Sequence, residues 1–278
     1  MDKFWAKLVL VFLILNLCPH LKAQNVSLSA KDRRQISDKV FQNECSGKEE
    51  CLLAWNAGEE FMSLGIGHFI WYPQGQTGPF DESFPKFLEY LQSTGQKIPG
   101  WLQHRPGCPW TSREDFLKNR QGVKAGELKH LLLSTKEKQG DFLIKRLNEA
   151  LPLMLKNSPP EKRKQLREQF YRVSGTPAGI FALVDYVNFK GLGTSLTERY
   201  QGQGWGLMQI LSDMPGQGEG RAALEEFVQT AEKMLVERVK NAPAYRNEEK
   251  WLPGWKRRVN SYLEFRDEQQ PQTPMPVK

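Results

Sequence analysis

The chain has 278 residues, with 39 Lys and Arg against 32 Asp and Glu and a formal net charge of +7. With 39% hydrophobic and 26% charged residues it has globular composition, which excludes a mainly disordered chain, and four Cys are too few for a disulfide-built scaffold. The length allows one large domain or two small ones, and a hydrophobic core that needs no staples.

Met1 to Lys7 is short and cationic, Leu8 to Leu17 is almost wholly apolar, and Leu21-Lys22-Ala23 ends on a small residue. This is the layout of a secretory signal peptide cut after Ala23, and the apolar run falls well short of the ~20 residues of a membrane-spanning helix. Cys18 raises a lipid anchor, but Leu17 stands where lipid attachment wants a small side chain, so soluble export to the periplasm or the extracellular space is the expectation. Lys3, Lys7 and Lys22 outnumber Asp2, so removal of the leader leaves a smaller positive surplus. That surplus suits an anionic partner such as a wall polymer, and equally suits plain solubility.

Export places Cys45, Cys51 and Cys108 in an oxidising compartment. Cys45 and Cys51 can bridge around a five-residue loop, while Cys108 can capture either of them, so one disulfide and one spare thiol are expected. The four His are scattered and none falls at zinc-site spacing, so no metal is expected.

After a loose lead-in, the pattern turns helical from Asp32, a capping residue, with Ile36 and Val40 four apart and Glu44 the next step on that face. Gly, Pro and aromatic residues dominate 55–82. Helical stretches follow at 84–94, 112–119, 125–135, 139–156 and 160–174. Thr176-Pro177 is a strong helix start, and the apolar spacing Ile180, Leu183, Val184, Val187 runs on to Gly191. A Gly-rich segment over 191–206 leads into Leu207-Met208-Gln209-Ile210-Leu211. An amphipathic helix is expected over 220–240, and Pro253 opens a last helix through about Phe265. That last helix, with Trp255, Arg258, Val259 and Tyr262, is expected to pack on the core. No clean linker or internal repeat occurs. The expected organisation is a signal peptide over 1–23, one domain over 24–266 and a disordered Gln/Pro tail over 267–278.

Glu44 carries the most chemical information, because it continues an apolar stripe and so points toward the core or a cleft. Burial raises a carboxyl pKa, and an acid still protonated near neutrality is what glycosidic bond cleavage requires. Trp55 to Phe69 alternates around two glycines. As a strand it places Glu59, Phe61, Ser63, Gly65 and Gly67 on a small polar face, with Met62, Leu64, Ile66 and His68 on an apolar one. Such a wall lets a bulky polar substrate pass close to the chain.

A helix ending in Glu44, a short turn, then Gly65-Ile66-Gly67-His68 in a hairpin resembles the catalytic region of phage-type lysozymes over about residues 32–70. The resemblance implies that Glu44 is the acid and that Ser63 takes the place of a Thr that positions water. It implies a second acid in the turn, where Asn56 or Ala57 falls by counting and Glu59 is the nearest carboxylate. His68 matches a His that is mainly structural. Gly206-Leu207-Met208-Gln209-Ile210 is similar to a strand of lytic transglycosylases, which share lysozyme-like folds, although no Glu-Ser stands upstream at their usual distance. The segment from Asp185 to Gln209 then forms the opposite cleft wall, with Asn188, Glu198, Tyr200, Trp205 and Gln209 as substrate contacts. Trp71 and Tyr72 are placed to stack on sugar rings, although core packing is the commoner fate of such residues.

These readings converge on a mainly helical α+β, lysozyme-like domain with one or two short β-hairpins lining a cleft. The expected function is an exported glycoside hydrolase acting on peptidoglycan or a related amino-sugar polymer. Glu44 is its acid, and Glu59 or Asp185 its partner, with Ser63 holding water. A lytic transglycosylase, a chitosanase-like enzyme and a non-catalytic wall-binding protein are the alternatives. Neither a cofactor nor a nucleic-acid partner is expected, nor a membrane segment after leader removal, and the expected state is a monomer.

Overall fold

The computed structural model describes residues 28–104 and 107–265. The expected leader, Cys18 and the expected tail lie outside the described residues. Among the described residues ten α-helices carry the fold: α1 (Ala30–Cys45), α2 (Phe84–Ser93), α3 (Arg113–Asn119), α4 (Val123–Ser134), α5 (Lys136–Asn157), α6 (Arg163–Val173), α7 (Pro177–Lys190), α8 (Leu207–Asp213), α9 (Arg221–Asn241) and α10 (Leu252–Asn260). One antiparallel sheet is built from β1 (Leu53–Ala54), β2 (Met62–Leu64) and β3 (Phe69–Trp71), in that order. The chain is therefore mainly helical with a small sheet. No described helix is long and apolar enough to cross a membrane.

Helix α1 starts earlier than Asp32. Ser29 is the cap, its Oγ accepting from the Asp32 N–H at 3.1 Å, while the Asp32 carboxylate accepts from the Ser29 N–H at 3.2 Å. The reciprocal pair satisfies two otherwise orphaned donors, so Asp32 closes the capping box instead of opening the helix. The Ile36 and Val40 stripe of α1 is fully buried and lies against α5 and α7. Its crossing with α5 is close: a Cβ on Gly140 would lie 1.8 Å from Ser37 Oγ. A glycine at 140 is what allows the two backbones to approach.

Helix α7 is the central element. Its residues from Ala178 to Tyr186 are all buried, as expected of a helix that is apolar nearly all round. Thr176 Oγ1 accepts from the Gly179 N–H at 3.0 Å and Pro177 opens the first turn, as the capping pattern predicts. Its Phe181 and Tyr186 pack edge-on against Tyr262 and Phe227, joining α7 to α9 and the C-terminal turn.

The expected strand through 55–69 is only three residues long at β2. In β2, Ser63 pairs with Ala54 and Ile70. Gly65 and His68 have φ of 68° and 44°, in the left-handed region, so Gly65–His68 is the turn joining β2 to β3. The fully buried Gln139 of α5 fixes this turn, its Oε1 accepting from the Ile66 N–H at 2.8 Å. A Cβ on Gly65 would meet that same oxygen at 2.2 Å. Tertiary contact thus overrides the alternation. Met62, Ser63 and Leu64 are all buried, so β2 has no open polar face.

The segment from Leu207 is helix α8 and not a strand. Gln209 folds its side chain back so that Oε1 accepts from the Gly206 N–H at 3.1 Å, which caps the helix start. Cys45 and Cys51 form the disulfide, with Cα atoms 5.2 Å apart. Cys108 is the buried free thiol, and burial pushes its pKa up to about 12.

Candidate functional site

Glu44 stands one residue before the end of α1, and the disulfide at Cys45 turns the chain directly into β1. The turn after β2 then returns His68 to Glu44, with His68 Nδ1 3.4 Å from Oε2. From the other side Asn188 Nδ2 donates to Glu44 Oε1 at 2.9 Å, and Arg258 Nη2 donates to the same oxygen. The carboxyl side chain keeps only 10% of its surface exposed.

Arg258 binds two carboxylates at once. Its Nε donates to Asp185 Oδ2 at 2.8 Å, and its Nη2 donates to Asp185 Oδ1 at 3.0 Å. Asp185 also accepts from Tyr262 Oη at 2.7 Å and from Asn43 Nδ2 at 3.2 Å, and its side chain is fully buried. Four donors therefore occupy Asp185. Arg258 thus bridges Asp185 to Glu44, with Asp185 buried inside the cluster.

The electrostatics at Glu44 reverse the expectation drawn from burial. Burial alone would raise its pKa, but the Arg258 charge, His68 and the hydrogen bonds from Arg258 and Asn188 together outweigh it and hold the carboxyl below its ordinary value. Glu44 is thus a carboxylate at rest. Arg258 shifts the opposite way: burial disfavours its charge, yet Asp185 and Glu44 raise its pKa further. Lys190, at the end of α7, adds little charge near neutrality. Burial, followed by repulsion from Arg238, pushes it down to about 6, and its Nζ rests 3.4 Å from the Trp255 ring centroid.

A cavity of about 160 Å³ opens beside this cluster, with His68 and Asn188 in its wall together with Ser83 and Arg146. His68 and Asn188, both in contact with Glu44, thus line a space that a ligand can fill.

Of the residues singled out from sequence, the fold brings Glu44, Asp185 and Asn188 together. Glu59 lies in the β1–β2 turn, where its carboxylate accepts from Asn56 at 3.0 Å and its carbonyl from Trp55 Nε1 at 2.8 Å. That local pairing holds it in its own turn. Ser63 is buried inside the sheet. Trp71 is fully buried between Phe84 and Trp101, and Tyr72 is buried with its hydroxyl accepting from the Phe80 N–H. Neither ring has a face to offer a sugar: Trp71 lies in β3, which α2 covers, and Tyr72 is buried just after it, against Phe61.

The 191–206 wall is likewise internally committed. Tyr200 donates to Glu248 at 2.8 Å, and Trp205 is buried with the Arg238 guanidinium 4.1 Å above its ring. Gln209 bridges Gly206 and Gly193. Glu198 is exposed on the loop before Tyr200. These residues shape the wall, and none of them touches Glu44.

Arg258, Asn43, Tyr262 and His68 complete the cluster but are absent from the sequence-derived set. One signal pointed to Arg258: it shares a helical stripe with Trp255, Val259 and Tyr262. A cation on an apolar stripe calls for a buried anion, and Glu44 is an acid on an apolar stripe. The ligand atoms of Cys45, Cys51 and His68 lie within 4.8 Å of one another, but the disulfide ties up both sulfurs, so this trio could hold a soft metal only when reduced. No family model, curated protein or solved structure matches this chain.

Proposed function

We propose that the protein cleaves glycosidic bonds in peptidoglycan or a related amino-sugar polymer, with Glu44 as the proton donor to the leaving oxygen. The observation that carries this reading is the placement of Glu44. A largely buried carboxyl ends a helix, faces the turn of a hairpin and stands beside a cavity. Glu44 is ionised at rest, so it takes up a proton only when the medium is acidic or when Arg258 is drawn fully onto Asp185. A general acid held below its ordinary pKa makes an enzyme whose activity rises as pH falls.

A specific observation favours a second form of the same reaction. With Asp185 saturated by four donors and Glu59 held in its own turn, Glu44 has no carboxylate partner in contact. A single acid/base suits a lytic transglycosylase, in which the sugar's own 6-hydroxyl attacks. Digestion of purified wall by the wild-type chain and by Glu44→Gln tests both forms. Soluble fragments released by the wild type alone support the enzyme. Mass spectrometry then separates anhydro ends from reducing ends. Binding to insoluble wall without any release would replace the reading with a non-catalytic one.

A further inference from the structure

Arg146 sets the second half of the cavity apart. The other deeply placed arginines are paired: Arg172 with Glu226, Arg238 with Glu248, and Arg258 with Glu44 and Asp185. Arg146, on α5, makes no ion pair and no hydrogen bond among the described residues, yet its side chain is largely withdrawn from water and lines the cavity. Two acids act on it from a distance, and one of them, Asp81, itself lines the cavity, but each is paired with a lysine. Asp81 accepts from Lys86 Nζ through both oxygens at 2.7 Å, and Glu149 is paired with Lys145.

A withdrawn guanidinium without an anion is costly, and a ligand carboxylate removes that cost by matching its fork with two parallel hydrogen bonds. Burial holds the Arg146 pKa below its ordinary value. Ser83 adds a second donor. Its Oγ accepts from the Ile70 N–H at 3.0 Å, which leaves its hydroxyl hydrogen without an acceptor among the described residues. At roughly 30 Å³ per water, a cavity of about 160 Å³ has room for about five water-sized groups, the bulk of a short carboxylic-acid arm. His68 and Asn188, both on Glu44, line the same cavity.

We propose that this cavity is a carboxylate subsite, in which Arg146 and Ser83 hold the free acidic substituent of an amino sugar that carries no stem peptide and whose glycosidic bond is presented to Glu44. The identity of the sugar rests on the glycan-cleaving reading; the carboxylate chemistry of the cavity does not.

The test is a titration of the full chain with N-acetylmuramic acid, with its neutral counterpart N-acetylglucosamine and with lactate, following the Arg146 Nε–H resonance and the dissociation constants. The wild type is expected to bind N-acetylmuramic acid at least tenfold more tightly than N-acetylglucosamine. Arg146→Met should bring the two to parity, with Arg146→Lys between. Equal binding of both sugars by the wild type, or a preference that survives Arg146→Met, overturns the subsite. A lactate-induced shift of the Arg146 resonance with neither sugar bound supports the carboxylate subsite and overturns the wall-glycan reading instead. Wall lysis through Glu44 with no carboxylate response does the reverse.

Discussion

Glu44 is enclosed from two sides that are built in different ways. The hairpin side is local: the disulfide to Cys51, the short strands and the Gly65–His68 turn all follow α1 closely in the chain. The helix side is remote, since Asn188 and Arg258 reach Glu44 across sequence separations of 144 and 214 residues. The local side supplies position and the smaller influence of His68, and the remote side supplies the larger charge, that of Arg258. Whether Glu44 carries a proton is therefore decided chiefly by a residue that has no sequence proximity to it.

The largest expected effect concerns Glu44 itself. Glu44→Gln should lower glycan release by about 10²–10⁴-fold, the usual contribution of a positioned general acid, while the circular dichroism spectrum stays that of the wild type. Retained lysis would remove Glu44 from the chemistry and leave both sides of the comparison structural. On the remote side, Asp185→Ala strips the acceptor from Arg258, Tyr262 and Asn43. Breaking a buried pair in this way costs about 3–5 kcal/mol, which urea unfolding would register. A loss below about 1 kcal/mol would show that Asp185 does not hold the remote side together.

Arg258→Met tests the assignment of charge to that side. Without the guanidinium, burial is the main influence left on Glu44 and raises its pKa, so the pH profile of glycan release should move toward higher pH. The sign for stability is opposite in the wild type. A carboxyl held below its ordinary value of 4.5 contributes stability above that value and loses it as pH falls through the folded-state pKa. Glu44→Gln should therefore flatten the acid limb of the stability curve below about pH 4.5, measured by urea midpoints from pH 3 to 6.

On the local side, opening the disulfide with Cys45→Ser and Cys51→Ser removes a short loop constraint. Chain entropy puts the loss at about 2 kcal/mol, with a further loss of activity if the turn carrying His68 shifts. The smallest effect belongs to the start of α1. Ser29→Ala should cost about 1 kcal/mol in the same unfolding assay and leave activity unchanged.

Much of the helical frame was legible because capping and apolar spacing act over a few residues. The Thr176-Pro177 start of α7 and the Ile36–Val40 stripe of α1 are read directly from such local patterns. The misreadings share one cause. The run through 55–69 alternates like a strand, but Gln139 from α5 and two left-handed residues bend it into a turn. Leu207–Leu211 has strand-like composition, yet the Gln209 side chain caps Gly206 and starts a helix. Trp71 stands among loop-forming residues, but α2 covers its strand and leaves it in the core.

The sequence by itself determined that Glu44 would face inward, because its stripe continues Ile36 and Val40 at helical spacing. It also determined that Cys45 and Cys51 were close enough to bridge. Tertiary structure alone decided the charge on Glu44, because the sign of its pKa shift depends on which cation reaches it. Arg258 is brought there by α10 packing on α9 and by Asp185, a carboxylate that four donors hold fully buried. Burial is a property of a stripe and can be read locally; the balance between burial and a counterion is a property of the fold.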